Sequence, residues 1–240
     1  VSKAQLVRVA QMLGFSGYAE LKACLQKTIL EQINPAALLA RAVSSNDSFP
    51  DSIFKAEHAN LDDTMAQLVP ADIDKFCEMV KGANNIYCIG WGISSLVMEL
   101  MQIRLTVMGC RALLCRRGGL SLWEQVRSVR EGDIVIVCEL PSYAVEVTES
   151  VEIAHRNGAK VITMTDSAAA PVCRFAELQI NVSANSPTFG SSIIGPIFLT
   201  HVLTSSLAVS LGDEAKKSFD EQAQFLHDER IFHPIFGLKY

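Results

Sequence analysis

The 240-residue sequence contains no CxxC pair, and its seven cysteines (Cys24, Cys77, Cys88, Cys110, Cys115, Cys138, Cys173) form an odd count. A disulfide framework and a zinc knuckle are therefore excluded, and the thiols read as reduced small hydrophobes. Glycine and proline are sparse, at 14 and 8 residues, and 49% of the chain is hydrophobic against 20% charged. Collagen-like and disordered chains are excluded on that balance. The histidines (His58, His155, His201, His227, His233) show neither HxxxH nor HExxH spacing, so no metal is expected. His201, in an apolar helical stretch, reads as a satisfied core residue. No signal peptide is recognisable: the chain opens on Val1 rather than Met and runs straight into an amphipathic pattern. Leu178 to Gly212 holds no Asp, Glu, Lys or Arg, a stretch long enough to span a bilayer. Its Asn181, Asn185, Pro187, Pro196 and many hydroxyls read instead as a strand, a loop and a buried helix, with no membrane partner. A soluble, cytoplasmic protein is expected.

What is present is unevenly distributed. The net charge is −5 with a pI near 5.6. Residues 1–30 nevertheless carry Lys3, Arg8, Lys22 and Lys27 against Glu20 alone, a net of +3 that leaves −8 for residues 31–240. A basic appendage sits on an acidic body. Residues 1–14 pattern as a short amphipathic helix with Ala4, Val7, Ala10, Met12 and Leu13 on one side, Ser2 placed to cap it and Gly14 to stop it. A turn and a second helix follow. Three more helical patterns occupy 35–81, so the first eighty residues read as helical throughout.

Beyond that, β-branched runs at 84–90, 111–115, 133–138, 159–166 and 177–182 alternate with helical patterns at about 93–108, 121–128, 143–157, 190–211 and 213–229. Such alternation predicts a three-layer α/β domain on a five-stranded parallel sheet. In the flavodoxin-like order 2-1-3-4-5, ligands sit at the carboxyl ends of strands one and three. The loop after the first strand is Gly90-Trp91-Gly92-Ile93-Ser94-Ser95, where glycines and a helix start suit an anion and two serines add hydroxyls. A third glycine at Rossmann spacing is missing, and Cys115-Arg116-Arg117 stands where an acidic residue would hold a ribose. A dinucleotide is disfavoured, and no cofactor is expected. The loop after the third strand, Glu139-Leu140-Pro141-Ser142-Tyr143-Ala144, faces the same crevice.

The run VSKAQLVRVAQMLGFSGYAELK resembles the recognition-helix half of the helix-turn-helix domain in RpiR-type transcriptional regulators, through Val1, Ser2, Ala4, Arg8, Leu13, Gly14, Phe15, Gly17, Glu20, Leu21 and Lys22. Residues 84–210 are similar to the sugar isomerase (SIS) domain of such regulators, through Gly90, Gly92 and Ser94 and through VEIAHRNGAKVITMTD. The resemblance implies a helix-turn-helix segment over 1–34, a helical linker and the start of the SIS domain over 35–82, and an effector and dimerisation domain over 83–240. It implies contact with operator DNA through Ser2, Lys3, Gln5 and Arg8, and an effector bound by Gly90, Trp91, Gly92, Ser94, Ser95, Glu139 and Ser142. A homodimer or homotetramer and a non-enzymatic role follow from it, and the family's earlier helices are expected upstream of Val1.

Where that family's third strand ends in a SxSGxT phosphate loop, this chain has Glu139, Pro141, Ser142 and Ala144. A carboxylate about 4 Å from a phosphate charge costs roughly 4 kcal/mol at an effective dielectric of 20. Three readings stay open: a different ligand with an amine or hydroxyl for Glu139, compensation by Arg116 or Arg117, or a silent pocket in a dimerisation scaffold. A phosphosugar isomerase on the same fold is the alternative from another class.

Overall fold

The computed structural model describes residues 2–44 and 48–231, except for the side chains of residues 26–33 and 41. Val1, the side chain of Lys27 and His233 thus lie outside the described residues. Two compact units form, one from the chain up to Ala56 with Ser186–Ser191, the other from Glu57–Asn185 with the chain from Ser192 onward.

In the first unit, α1 (Lys3–Met12) starts on a capping box: Gln5 N–H donates to Ser2 Oγ at 3.3 Å and Ser2 N–H to Gln5 Oε1 at 2.8 Å. It stops at Gly14, whose φ of 87° admits the left-handed turn. Gly14 N–H reaches Gln11 O at 3.0 Å and Phe15 N–H reaches Ala10 O at 3.0 Å, the paired bonds of a Schellman end. The Ser16 N–H and hydroxyl donate to Glu20 Oε2 at 2.7 and 2.6 Å, launching α2 (Tyr18–Ile33) and holding the Glu20 carboxyl below its ordinary value. Of the apolar side expected on α1, Ala10 is buried, whereas Val7, Met12 and Leu13 are exposed. Helix α3 (Pro35–Ser44) follows, and α4 (Phe49–Gln67) passes into the second unit at Glu57.

The second unit continues through α5 (Pro70–Lys81), β1 (Ile86–Gly90), α6 (Ser94–Val107), β2 (Ala112–Cys115), α7 (Leu122–Val126), β3 (Ile134–Glu139), α8 (Val145–Arg156), β4 (Lys160–Thr165), a 3-10 helix (Pro171–Phe175), β5 (Leu178–Asn181), α9 (Ile194–Leu211) and α10 (Asp213–Asp228). All strands pair in parallel, in the order β2-β1-β3-β4-β5. Side chains alternate across the pleat. Ile134, Ile136 and Cys138 of β3 join the core of α5, α6 and α9, while Val135 and Val137 join that of α7, α8 and the 3-10 helix. The predicted three-layer α/β sheet is what the chain forms.

Among the described residues one helix, Ile194–Leu211, is long and apolar enough to cross a membrane. In this fold it is a core helix, with Leu199, Leu203 and Leu207 fully buried. His201, expected inside, is exposed. It shares an outward stripe with Ser205 and Val209 at i, i+4 and i+8, and on so uniformly apolar a helix the sequence leaves the inward phase unmarked.

The loop leaving β5 is fastened by α4. Asn60, fully buried, donates through Nδ2 to Glu57 Oε2 (3.0 Å) and Asn185 O (2.8 Å), and accepts at Oδ1 from Ser183 Oγ and Asn185 N–H (both 2.9 Å). Thr64 Oγ1 accepts from Ser183 N–H at 3.0 Å, and Ser192 Oγ donates to Glu57 at 2.6 Å. Every hydrogen-bonding position of the Asn60 amide is filled. Replacing Asn60 by Ala strands several buried groups, a loss of about 2–4 kcal/mol. Thermal unfolding followed by circular dichroism should show Tm lower by about 5–10 °C, and an unchanged Tm would show that the network contributes nothing.

Candidate functional site

The strand order reverses at β1, and parallel pairing sets Gly90 level with Cys138 and Glu139 level with Thr165. Two loops therefore leave neighbouring strands at the same height. The first turns sharply: a Cβ on Gly90 would lie 2.6 Å from Ser94 O and 2.7 Å from Ser95 N, so the approach of the helix start to the strand end requires glycine. Ser95 Oγ donates to Gly92 O at 2.7 Å and Ser94 N–H to Trp91 O at 3.1 Å. Trp91 and Gly92 are exposed at this edge, Trp91 to 43%, and Ser95 is half-buried. Ser94 is buried, its hydroxyl turned to the Cys138 thiol. Burial pushes that thiol up to about 12, so it stays protonated.

The second loop keeps a glycine-type backbone without glycine. Ser142 and Tyr143 have φ of 111° and 29°, a region that L-residues rarely adopt. Ser142 is exposed, and Ala144, in the N-cap position of α8, supplies no side-chain cap. Pro141 and Ala144 bring no hydroxyl to this turn, where Ser142 holds the exposed one.

Glu139 lies on the opposite face of the sheet from Ser94 and Cys138, towards α7, α8 and the 3-10 helix. It is 3% exposed, and neither carboxyl oxygen has a hydrogen-bond partner among the described residues. Burial pushes its pKa up to about 7. The nearby Val172 N–H pulls the other way without reaching hydrogen-bond geometry, and Asp166 adds like-charge repulsion. Asp166, at the end of β4, accepts from Tyr143 OH at 2.9 and 3.2 Å and from Thr165 Oγ1 at 3.4 Å. Burial, with Asp166 beside it, raises the Tyr143 phenol above its ordinary value.

Arg116 and Arg117 are engaged elsewhere. Arg116 meets Glu99 at 3.3 Å and Arg117 meets Glu146 at 3.7 Å, and neither is among the charges acting on Glu139. Beside them opens a cavity of about 560 Å³ lined by Arg117, Gly118, Leu120, Ser121, Trp123, Val145, Glu146 and Glu149. Sequence reasoning missed Tyr143, Asp166 and this cavity. The signal available was the position of Asp166 as the last residue of the fourth β-branched run.

In the head, Ser2 and Gln5 bond each other through the capping box, while Lys3 and Arg8 are exposed and form no ion pair among the described residues. Among the described residues no group of three or more His, Cys, Asp or Glu is placed to hold a metal.

Because the folded state holds the Glu139 proton more tightly than the unfolded chain, the contribution of this group to stability is greatest below the ordinary carboxyl value of 4.5 and is lost as pH rises through about 7. The loss amounts to about 3 kcal/mol above that range. Glu139→Gln removes this dependence, so its Tm should exceed that of the parent near pH 8 and match it near pH 4.5. Parallel pH profiles of the two proteins would contradict the assignment.

Residues 79–210 match the SIS domain family. Similar folds occur in the sugar isomerase domain of an RpiR transcription factor from Sphaerobacter thermophilus (22% identity, TM-score 0.70, covering 74% of this chain and 99% of that one). The NanR protein of Vibrio vulnificus, complexed with ManNAc-6P, is similar over 95% of this chain and 82% of its own (22% identity, TM-score 0.69). A Methanococcus jannaschii protein with an inferred 3-hexulose-6-phosphate isomerase function is similar over 72% of this chain and 95% of its own (14% identity, TM-score 0.57). With more than half of its length matched and the parallel order β2-β1-β3-β4-β5 in place, the chain belongs to the SIS domain family.

Proposed function

We propose that the chain is the DNA-contacting and effector-sensing part of a transcriptional regulator of the RpiR type, acting in carbohydrate or related metabolism. The observation that carries this is the joining, in one chain, of a basic capped helix and Gly14 turn to a SIS sheet whose turn after β3 has no hydroxyl at Pro141 and Ala144. The similarity in fold to NanR over 95% of this chain supports the same order of parts.

In this reading Lys3 and Arg8 meet DNA, being exposed and forming no ion pair among the described residues. Ser2 shapes the helix start and Gln5 reads a base once it leaves the cap. The effector lies against Gly90, Trp91, Gly92, Ser95 and Ser142 at the carboxyl edge of the sheet, with Ser94 and Glu139 beneath the two loops. A homodimer presents two heads to a roughly palindromic operator. Effector acts by binding one arrangement of the heads more tightly than the other. An isomerase would need a phosphate anchor and a base at the substrate carbonyl. Ala144 and Glu139 stand where the anchor hydroxyls belong, and the basic head has no task in such an enzyme.

Fluorescence anisotropy with promoter fragments from the protein's own locus tests this. The full-length protein should bind with an affinity that falls steeply with salt. Arg8→Ala should weaken binding by about 1–3 kcal/mol and, for a phosphate contact, flatten the salt slope by about one unit. Absent or salt-insensitive binding, or turnover of hexose or pentose phosphates, would favour the enzyme instead.

A further inference from the structure

The carboxyl edge of the sheet holds a charge arrangement that a phosphate ligand does not explain. Glu139 Oε1 and Oε2 are enclosed and accept no hydrogen bond among the described residues. The nearest charged group across the strand pair is another carboxylate, Asp166, one residue past Thr165, which is level with Glu139. The titratable groups around Glu139 are Asp166 just past β4, Tyr143 from the loop above and Cys173 from the 3-10 helix, with Cys138, its neighbour in β3, turned to the opposite face of the sheet. Each is acidic or neutral, and no lysine, arginine or histidine is among them. Tyr143 brings one hydroxyl proton, already shared between the two Asp166 oxygens. The cluster thus has acceptors in excess and no cation.

We propose that the effector carries an ammonium group that sits between the Glu139 and Asp166 carboxylates once Tyr143 moves aside. The idea rests on the effector-sensing reading of this edge. An ammonium brings a full positive charge and three N–H donors, which is what the buried, unpartnered Glu139 carboxyl beside the half-buried Asp166 lacks. A phosphate brings like charge and only acceptors. Tyr143, from the Ser142–Tyr143 turn held at positive φ, donates its hydroxyl to Asp166, so a ligand nitrogen that reaches Asp166 takes the place of that hydroxyl. Binding favours ionised Glu139, so it strengthens as pH rises through 7 and releases a proton below that pH.

Thermal unfolding with methylammonium, tetramethylammonium, sodium and inorganic phosphate salts at equal ionic strength tests the proposal on the full-length protein. Methylammonium should raise Tm by about 2–4 °C near pH 8 and less near pH 6. Tetramethylammonium, which has no N–H donor, sodium and phosphate should not. Glu139→Gln, and separately Asp166→Asn, should abolish the methylammonium effect while keeping the circular dichroism spectrum and promoter binding. Equal shifts with sodium or tetramethylammonium, a methylammonium effect that survives Glu139→Gln, or stabilisation by phosphate in its place would overturn the proposal. Promoter binding is read separately, so loss of the ammonium effect with DNA binding retained defeats this inference and leaves the regulator reading standing.

Discussion

The pairing of β1 with β2 on one side and β3 on the other determines what can happen at the carboxyl edge of this sheet. Winding reverses there, so the loops after β1 and β3 diverge to opposite faces and leave a crevice between them. Both faces of β1, β3 and β4 are buried. A slip of one residue would move every side chain into the wrong layer, which fixes the register tightly. Cys138 must face α6 with Ser94, and Glu139 must face α8 and the 3-10 helix.

That constraint turns a substitution in a loop into a problem of charge in a dry place. The turn over Ser142 and Tyr143 holds two residues at positive φ. The chemistry has been altered underneath it: no hydroxyl caps α8, and a carboxyl group without donors sits beside Asp166. Burial of a charge without a partner is resolved by moving the pKa or by supplying a counter-charge. At neutral pH Glu139 is poised between the two.

Much of the fold was legible because its determinants are local. Ser2 and Gln5 are three residues apart, Gly14 needs only its own φ, and β-branched runs such as Ile134–Glu139 declare a doubly buried strand by composition. What escaped is non-local or lacks contrast. Asn60 and Asn185 are separated by 125 residues, and Tyr143 and Asp166 by 23, so no window of sequence joins them. The exposed phase of His201 is hidden because α9 is apolar on nearly every side. For Glu139 the sequence gives the change of residue type at the end of the third strand, whereas its burial and the missing donors depend on where Asp166, Val172 and Tyr143 close over it.

The state of that carboxyl group can be observed directly. With glutamate side chains labelled at the carboxyl carbon and the Glu139 signal assigned by its loss in Glu139→Gln, the chemical shift can be followed by NMR across the pH range in which the protein remains folded. A midpoint at about 7 is expected from burial beside Asp166. A midpoint at or below the ordinary 4.5 would mean that the carboxylate already has a stabilising partner, and a crevice built to receive a cation would be contradicted.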